Sequence, residues 1–317
     1  MTTLDRLARL VSLCLALTVC TPRPTPVPPP SPGGAGGLPA TGGQSSSVGG
    51  WLPIGHGGAV VAGEAGMPAG GVAATGGASV AVVWPSCNEA IKAAPAVRPK
   101  LSGWHRDKQR QTRAKWRPRY NLVTATQSVF WQPLVEHALD QGALGSCTGN
   151  ATAQTLSTRP FTARLAEVDA VRIYSRATEI DPFPGVYPPD DTGSAGVYAW
   201  QSAIDLGYTT VKTVAVSTLE QLQQALQSSG CILGTDWYSG FFTPTKCGEL
   251  VQSGTIEGGH EIEIIGWNKE MTMVWIRNSW GDWGVSRGRE TGFAYFSAGT
   301  LQKLLRSGAE IDCPVVP

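Results

Sequence analysis

Asp140-Gln-Gly-Ala-Leu-Gly-Ser-Cys-Thr148 places a cysteine behind a glycine-bearing turn and just ahead of residues 150–156, which read as a helix. A thiol at the start of a helix faces the positive end of the helix dipole, which favours the thiolate. Working outward, His260 in Gly258-Gly-His-Glu261 is the only histidine downstream of Cys147, and Asn278 in Arg277-Asn-Ser-Trp-Gly281 follows it closely. The chain order is therefore Gln141, Cys147, His260, Asn278.

These residue types suit one chemistry. A cysteine attacks a carbonyl as the thiolate, and its ordinary pKa of about 8.5 leaves little thiolate at neutral pH. A histidinium brought close lowers it, and an amide suits the task of orienting that imidazole, because it leaves the charge balance of the ion pair intact. Asn278 can accept a ring N–H through its side-chain oxygen, and Trp280 is placed to cover that bond from water. The backbone N–H of Cys147 and the Gln141 amide are natural donors to the oxyanion that attack creates. Each position also has an ordinary structural reading: Asn278 as a turn residue before Gly281, His137 in Val135-Glu-His-Ala138 as a surface group.

The Gln141-Gly-Ala-Leu-Gly-Ser-Cys147, Gly258-Gly-His260 and Asn278-Ser-Trp-Gly281 segments resemble, in order and spacing, the three signature blocks of papain-like cysteine peptidases. The resemblance covers residues 120–317 and is closest to the bacterial and bacteriophage branch, where Gly-Ser-Cys-Thr stands in place of Gly-Ser-Cys-Trp. It implies Cys147 as nucleophile, His260 as general base and acid, Asn278 as orienting amide and Gln141 as oxyanion donor, with no metal and no cofactor. Asp190-Asp-Thr-Gly-Ser194 falls where the family has a glycine-bearing substrate wall, so Gly193, with Trp280, is carried over to substrate binding. Three departures stand out. Leu144 replaces a cysteine common in the family, Thr148 replaces tryptophan, and no recognisable helical inhibitory propeptide precedes the domain.

The secondary-structure reading fits an α+β protein of two unlike lobes, the papain-like arrangement of a helical lobe followed by an antiparallel sheet or barrel. Residues 150–156, 166–180 and 198–206 read as helices. Ser217-Thr-Leu-Glu220 reads as a capping box opening an amphipathic helix to about Gln227. Residues 231–237, 260–267, 273–277 and 293–296 read as strands.

The chain of 317 residues is uneven. Arg6 and Arg9 precede an apolar run, residues 10–19, too short to span a bilayer as a helix, so residues 1–20 read as an export signal. Leu17-Thr-Val-Cys20 resembles a bacterial lipoprotein cleavage site, which would attach Cys20 to a membrane; simple export with cleavage nearby is the alternative. Residues 21–85 are rich in Pro, Gly, Ala and Ser and read as a disordered spacer. Leu38-Pro-Ala-Thr-Gly42 matches a sortase pentapeptide, but no apolar stretch and basic tail follow it. Residues 86–119 read as a basic, tryptophan-containing connector that packs its tryptophans on the next domain, with occupancy of the groove as a second possibility. A net charge of +1 with 15% charged residues gives no global field for nucleic acid. Cys14 and Cys20 lie in the export segment and Cys147 must stay reduced. Cys87, Cys231, Cys247 and Cys313 remain, an even set compatible with two disulfides in any of three pairings, or with free thiols.

The expectation is an exported cysteine peptidase acting on polypeptides through a thioester. Its rivals are a peptidoglycan-directed cysteine amidase or endopeptidase and a non-catalytic binding module on the same scaffold.

Overall fold

Helix α1 (Cys147–Leu156) is buried along its whole length. Its residues are mostly small, which lets its neighbours approach: a Cβ on Gly149 would lie 2.2 Å from the Ala170 carbonyl oxygen of α2 (Glu167–Ile180). With α3 (Gly196–Asp205), these helices enclose a core of Leu156, Ile173, Ala177, Trp200 and Ala203. The computed structural model describes residues 82–85, 87, 100–115, 127–270 and 272–316. The expected export signal, Cys20, the sortase-like pentapeptide and the spacer to residue 81 lie outside the described residues.

The second lobe is an antiparallel sheet. Strand β1 (Val129–Phe130) pairs with β4 (Ile256–Asn268), and the remaining strands run in the order β2 (Thr213–Val216), β8 (Glu310–Pro314), β3 (Cys231–Tyr238), β4, β5 (Met273–Arg277), β7 (Glu290–Ser297), β6 (Val285–Arg287). Its core holds Trp237, Phe241, Ile262, Ile264, Ile276 and Phe296, covered in part by Leu301 and Leu304 of α5 (Ala298–Arg306). The three helices of the first lobe precede all strands of the sheet except β1, and α4 and α5 fall among the strands, within the two-lobed α+β arrangement expected from the sequence.

Boundaries moved where side chains decided them. The helix expected from Ser217 is α4 (Leu219–Ala225). Its N-cap is Thr218, whose hydroxyl accepts from the Gln221 N–H at 3.2 Å, while the Gln221 side chain accepts from the Ser217 N–H at 2.9 Å. The cap is thus Thr218, one residue later than the expected Ser217, and the box with Glu220 does not form: the returning bond comes from Gln221 and goes to the residue before the cap. Strands β2 and β8 were not read from the sequence; they pair with each other, and β8 pairs with β3 on its other side. The four remaining cysteines form Cys87–Cys247 and Cys231–Cys313, the latter joining β3 to β8. Trp84, at the end of the segment read as spacer, packs edge-on against Phe130 and stacks near Trp275.

Candidate active site

Cys147 is the first residue of α1, His260 lies in β4, and Asn278 follows the last residue of β5. All three are fully buried. His260 Nε2 donates to Asn278 Oδ1 at 2.7 Å, and the same oxygen accepts from the Ser279 N–H at 2.8 Å. This fixes the ring with Nδ1 free of any hydrogen bond. Trp280 stacks on the imidazole at 4.8 Å, and Trp237 meets it edge-on at 4.7 Å, so aromatic rings screen the His260–Asn278 bond. The backbone N–H of Glu261 reaches the Cys147 sulfur, bringing β4 against the start of α1.

Gln141 is buried beside them. Its Nε2 donates to the Leu144 carbonyl at 2.9 Å and its Oε1 accepts from Ser279 Oγ at 2.8 Å, tying the turn before the cysteine to the Asn278 turn. Asp191, which the sequence reading left without a role, anchors the other side of that turn. Its carboxylate accepts from the Gly145 N–H at 3.1 Å and from the Tyr174 hydroxyl at 2.7 Å, and that hydroxyl accepts from the Gly193 N–H at 2.9 Å. Gly193 has φ +82°, and a Cβ there would lie 2.1 Å from the Ser102 carbonyl oxygen.

Ser102 belongs to the segment read as a connector, of which residues 100–115 run through the cleft as a strap. Its backbone is pinned on both walls. The Gly259 N–H donates to the Leu101 carbonyl at 2.5 Å, the Ser194 N–H to the Gly103 carbonyl at 2.9 Å, and the His105 N–H to the Ser194 carbonyl at 2.7 Å. Gly103 sits on the thiol: a Cβ there would lie 2.7 Å from Cys147 Sγ and 2.5 Å from the Gly145 carbonyl oxygen. Trp104 is only 5% exposed. The strap's cations meet carboxylates of the domain: Lys100 with Asp191, Arg106 with Asp236, and Arg110 and Arg113 with Asp312. Beyond them the strap adds a backbone bond from Ala215 of β2 to the Ala114 carbonyl.

Burial dominates the electrostatics. Burial, with the neighbouring Glu261 carboxyl, pushes the Cys147 thiol far above its usual range. Burial lowers His260 to about 4, against the opposing bond to Asn278. In this closed arrangement burial favours the neutral thiol and the neutral imidazole. A groove of about 1580 Å³ lined by Phe130, Val135, Leu139 and Arg287 includes none of Cys147, His260 and Asn278. The cleft between those residues is filled by the chain itself. Among the described residues, no group of three or more His, Cys, Asp or Glu is placed to hold a metal ion, and no helix is long and apolar enough to cross a membrane.

No protein-family model matches the chain, and no curated sequence does. Solved structures do. Xylellain, a cysteine protease from Xylella fastidiosa, aligns over 72% of this chain and all of its own length, with a TM-score of 0.52 and 15% identity. Procathepsin B from Trypanosoma congolense aligns over 68% of this chain and 87% of its own, with a TM-score of 0.48 and 13% identity. Procathepsin L2 from the larval midgut of Tenebrio molitor aligns over 68% and 78%, with a TM-score of 0.48 and 14% identity. The chain has the papain-like fold, a statement that rests on the first of these.

Proposed function

We propose that the chain is a papain-like cysteine peptidase of the bacterial or bacteriophage kind, exported and held latent by its own strap. The observation that carries this reading is the position of Gly103: a stretch of polypeptide backbone, hydrogen-bonded to both walls of the cleft, lies against the sulfur of Cys147. A groove that holds one extended peptide in this way is shaped to hold another. The two disulfides support folding in an oxidising compartment. Attachment through a lipidated Cys20 stays part of the proposal.

Once the strap leaves, water reaches the site and both ionised forms are better solvated. The Cys147 thiol passes its proton to the free Nδ1 of His260 and the thiolate attacks the substrate carbonyl. Oxyanion charge falls to the Cys147 N–H and the Gln141 amide, for which Gln141 exchanges its bond to Leu144. His260 then protonates the leaving amine, leaving a thioester. Water, deprotonated by His260, attacks the thioester and frees the acid and the thiol. Asn278 and Trp280 keep the imidazole in one orientation throughout.

The test is hydrolysis of a protein substrate such as casein by the full chain and by a Trp104→Ala variant, which loosens the strap. Cleavage that appears or rises in Trp104→Ala and vanishes when Cys147→Ala is added supports the reading. Hydrolysis that survives Cys147→Ala moves the nucleophile elsewhere. No hydrolysis in any strap-loosened form, with Cys147 alkylated at the rate of an ordinary thiol, favours the binding module.

A further inference from the structure

The sheet register sets two carboxyl groups on either side of a bare position. Gly234 of β3 lies opposite Glu261 of β4 on one side and opposite Glu310 of β8 on the other. Directly opposed residues of antiparallel strands project to the same face, so the row Glu261, Gly234, Glu310 is a gap with an acid on each flank. The next residues on that face continue the pattern: Asp236 lies two residues from Gly234 along β3, and Asp312 two residues from Glu310 along β8.

The gap is filled by the indole of Trp104. A Cβ on Gly234 would lie 1.8 Å from Trp104 Nε1 and 2.3 Å from Cε2, and one on Gly259 would lie 2.9 Å from Cε3. Trp104 adjoins Gly103, so this recess sits one residue along from the reacting sulfur. An apolar ring between two acids is a poor chemical match. The strap supplies partners for the other three acids: Arg106 for Asp236, Arg110 and Arg113 for Asp312, and the Asp107 N–H for Glu310 at 3.1 Å. It supplies none for Glu261 Oε2, which is buried without a hydrogen bond on a residue 2% exposed. Space for this carboxyl is kept by Gly196, where a Cβ would lie 1.8 Å from Glu261 Oε1. Burial, reinforced by Asp312 and Glu310, pushes this carboxyl well above the ordinary carboxylate range, against the charges of Arg113 and Arg110. A buried acceptor left idle is costly, and a donor that reaches it is favoured.

We propose that the recess holding Trp104 is the principal side-chain pocket of the cleft and that it selects a cationic residue, arginine or lysine, of the polypeptide substrate, with Glu261 and Glu310 as its specificity-determining carboxyls. The planar guanidinium presents donors along more than one edge and suits two carboxylates facing each other across a glycine. A cation entering the recess pairs with Glu261 as the carboxylate and offsets the burial that disfavours its charge. The pocket's chemistry follows from the register; its use in cleavage rests on the peptidase reading.

Two measurements separate these claims. The first needs no turnover: the iodoacetamide alkylation rate of Cys147 in full chains carrying Trp104→Arg, Trp104→Met, and each with Glu261→Gln, with melting curves to verify folding. The arginine strap should protect Cys147 better than the methionine strap by about tenfold or more, and Glu261→Gln should reverse that order. Equal alkylation of the two, or an order untouched by Glu261→Gln, overturns the proposal. The second is cleavage of a mixed peptide library by the Trp104→Ala chain, read by mass spectrometry. Arginine and lysine should be enriched at one position beside the scissile residue. Glu261→Gln should lower the ratio of kcat/KM on a basic peptide to that on a neutral one by about 30-fold or more, a ratio that cancels any effect on the nucleophile common to both. Cleavage without basic enrichment overturns the pocket's role. A chain that cleaves nothing overturns the peptidase reading instead, and the alkylation order alone then decides the pocket.

Discussion

Gly103→Ala adds one methyl group at the point where the strap lies on the nucleophile. That Cβ would come within 2.5 Å of the Gly145 carbonyl oxygen and 2.7 Å of Cys147 Sγ. Neither neighbour yields easily: one is backbone in the turn held by Asp191, the other the first residue of a wholly buried helix. Gly103 is not among the residues with positive φ, so alanine adopts its backbone without strain and the penalty is overlap alone. Overpacking of this kind costs about 1–3 kcal/mol. The overlap exists only while the strap is seated, so the cost falls on the closed state. The open population should rise by about 5- to 150-fold. Alkylation of Cys147 by iodoacetamide at pH 7, followed by peptide mass spectrometry, reads that population directly when reclosing is faster than the reaction. Gly299→Ala, at a glycine with nothing within 4 Å, is the control and should leave the rate alone. If Gly103→Ala lowers the melting temperature while Cys147 stays as slow as in the unaltered chain, the strap does not open as a unit and the reasoning fails.

The remaining predictions concern the site and the fold. His260→Ala should cost about 10²–10⁴ in kcat/KM, the range for a general acid–base residue, and Asn278→Ala less, because it removes an orienting bond of 2.7 Å and leaves the proton carrier in place; equal losses refute the division of roles. Cys231→Ala with Cys313→Ala opens a link between residues 82 apart and should lower stability by about 4–5 kcal/mol in denaturant melts; a change under about 1 kcal/mol would show that the β3–β8 pairing holds unaided. Burial pushes Glu263 up to about 7 from its ordinary 4.5, against the opposing charge of Arg277. The folded state therefore holds a proton that the unfolded chain has lost, and this contribution to stability is present below 4.5 and disappears as pH rises through about 7. His260, lowered from 6.5 to about 4, works the other way and loses its contribution as pH falls across that interval. Glu263→Gln isolates the first effect: its melting temperature relative to the unaltered chain should climb between pH 5 and pH 7, and a difference that ignores pH counts against it.

Much of the candidate site was legible because its signals are local. A glycine turn before Cys147, a glycine pair before His260 and an aromatic after Asn278 each mark their own position, and their order needs no knowledge of the fold. Helices α2 and α3 were legible for a related reason, since a period of 3.6 shows within one segment. Trp237, which meets the His260 ring edge-on, had no such marker. In the sequence it is one apolar residue of a strand.

The sequence by itself determined the α+β order of elements, the cysteine, histidine and asparagine with the glutamine before them, and an even set of four further cysteines. Tertiary structure decided which cysteines pair, that residues 100–115 lie in the cleft, and that Glu261 and Glu310 face each other across Gly234. Those facts depend on strand register and on contacts between residues far apart in the chain. A register shifted by one residue would turn both glutamates to the opposite face of the sheet without altering any local pattern. The strap shows the same limit from the other direction. Its arginines read only as part of a basic connector until the sheet brings Asp236 and Asp312 beneath them, because charge complementarity between distant segments is a property of the folded surface.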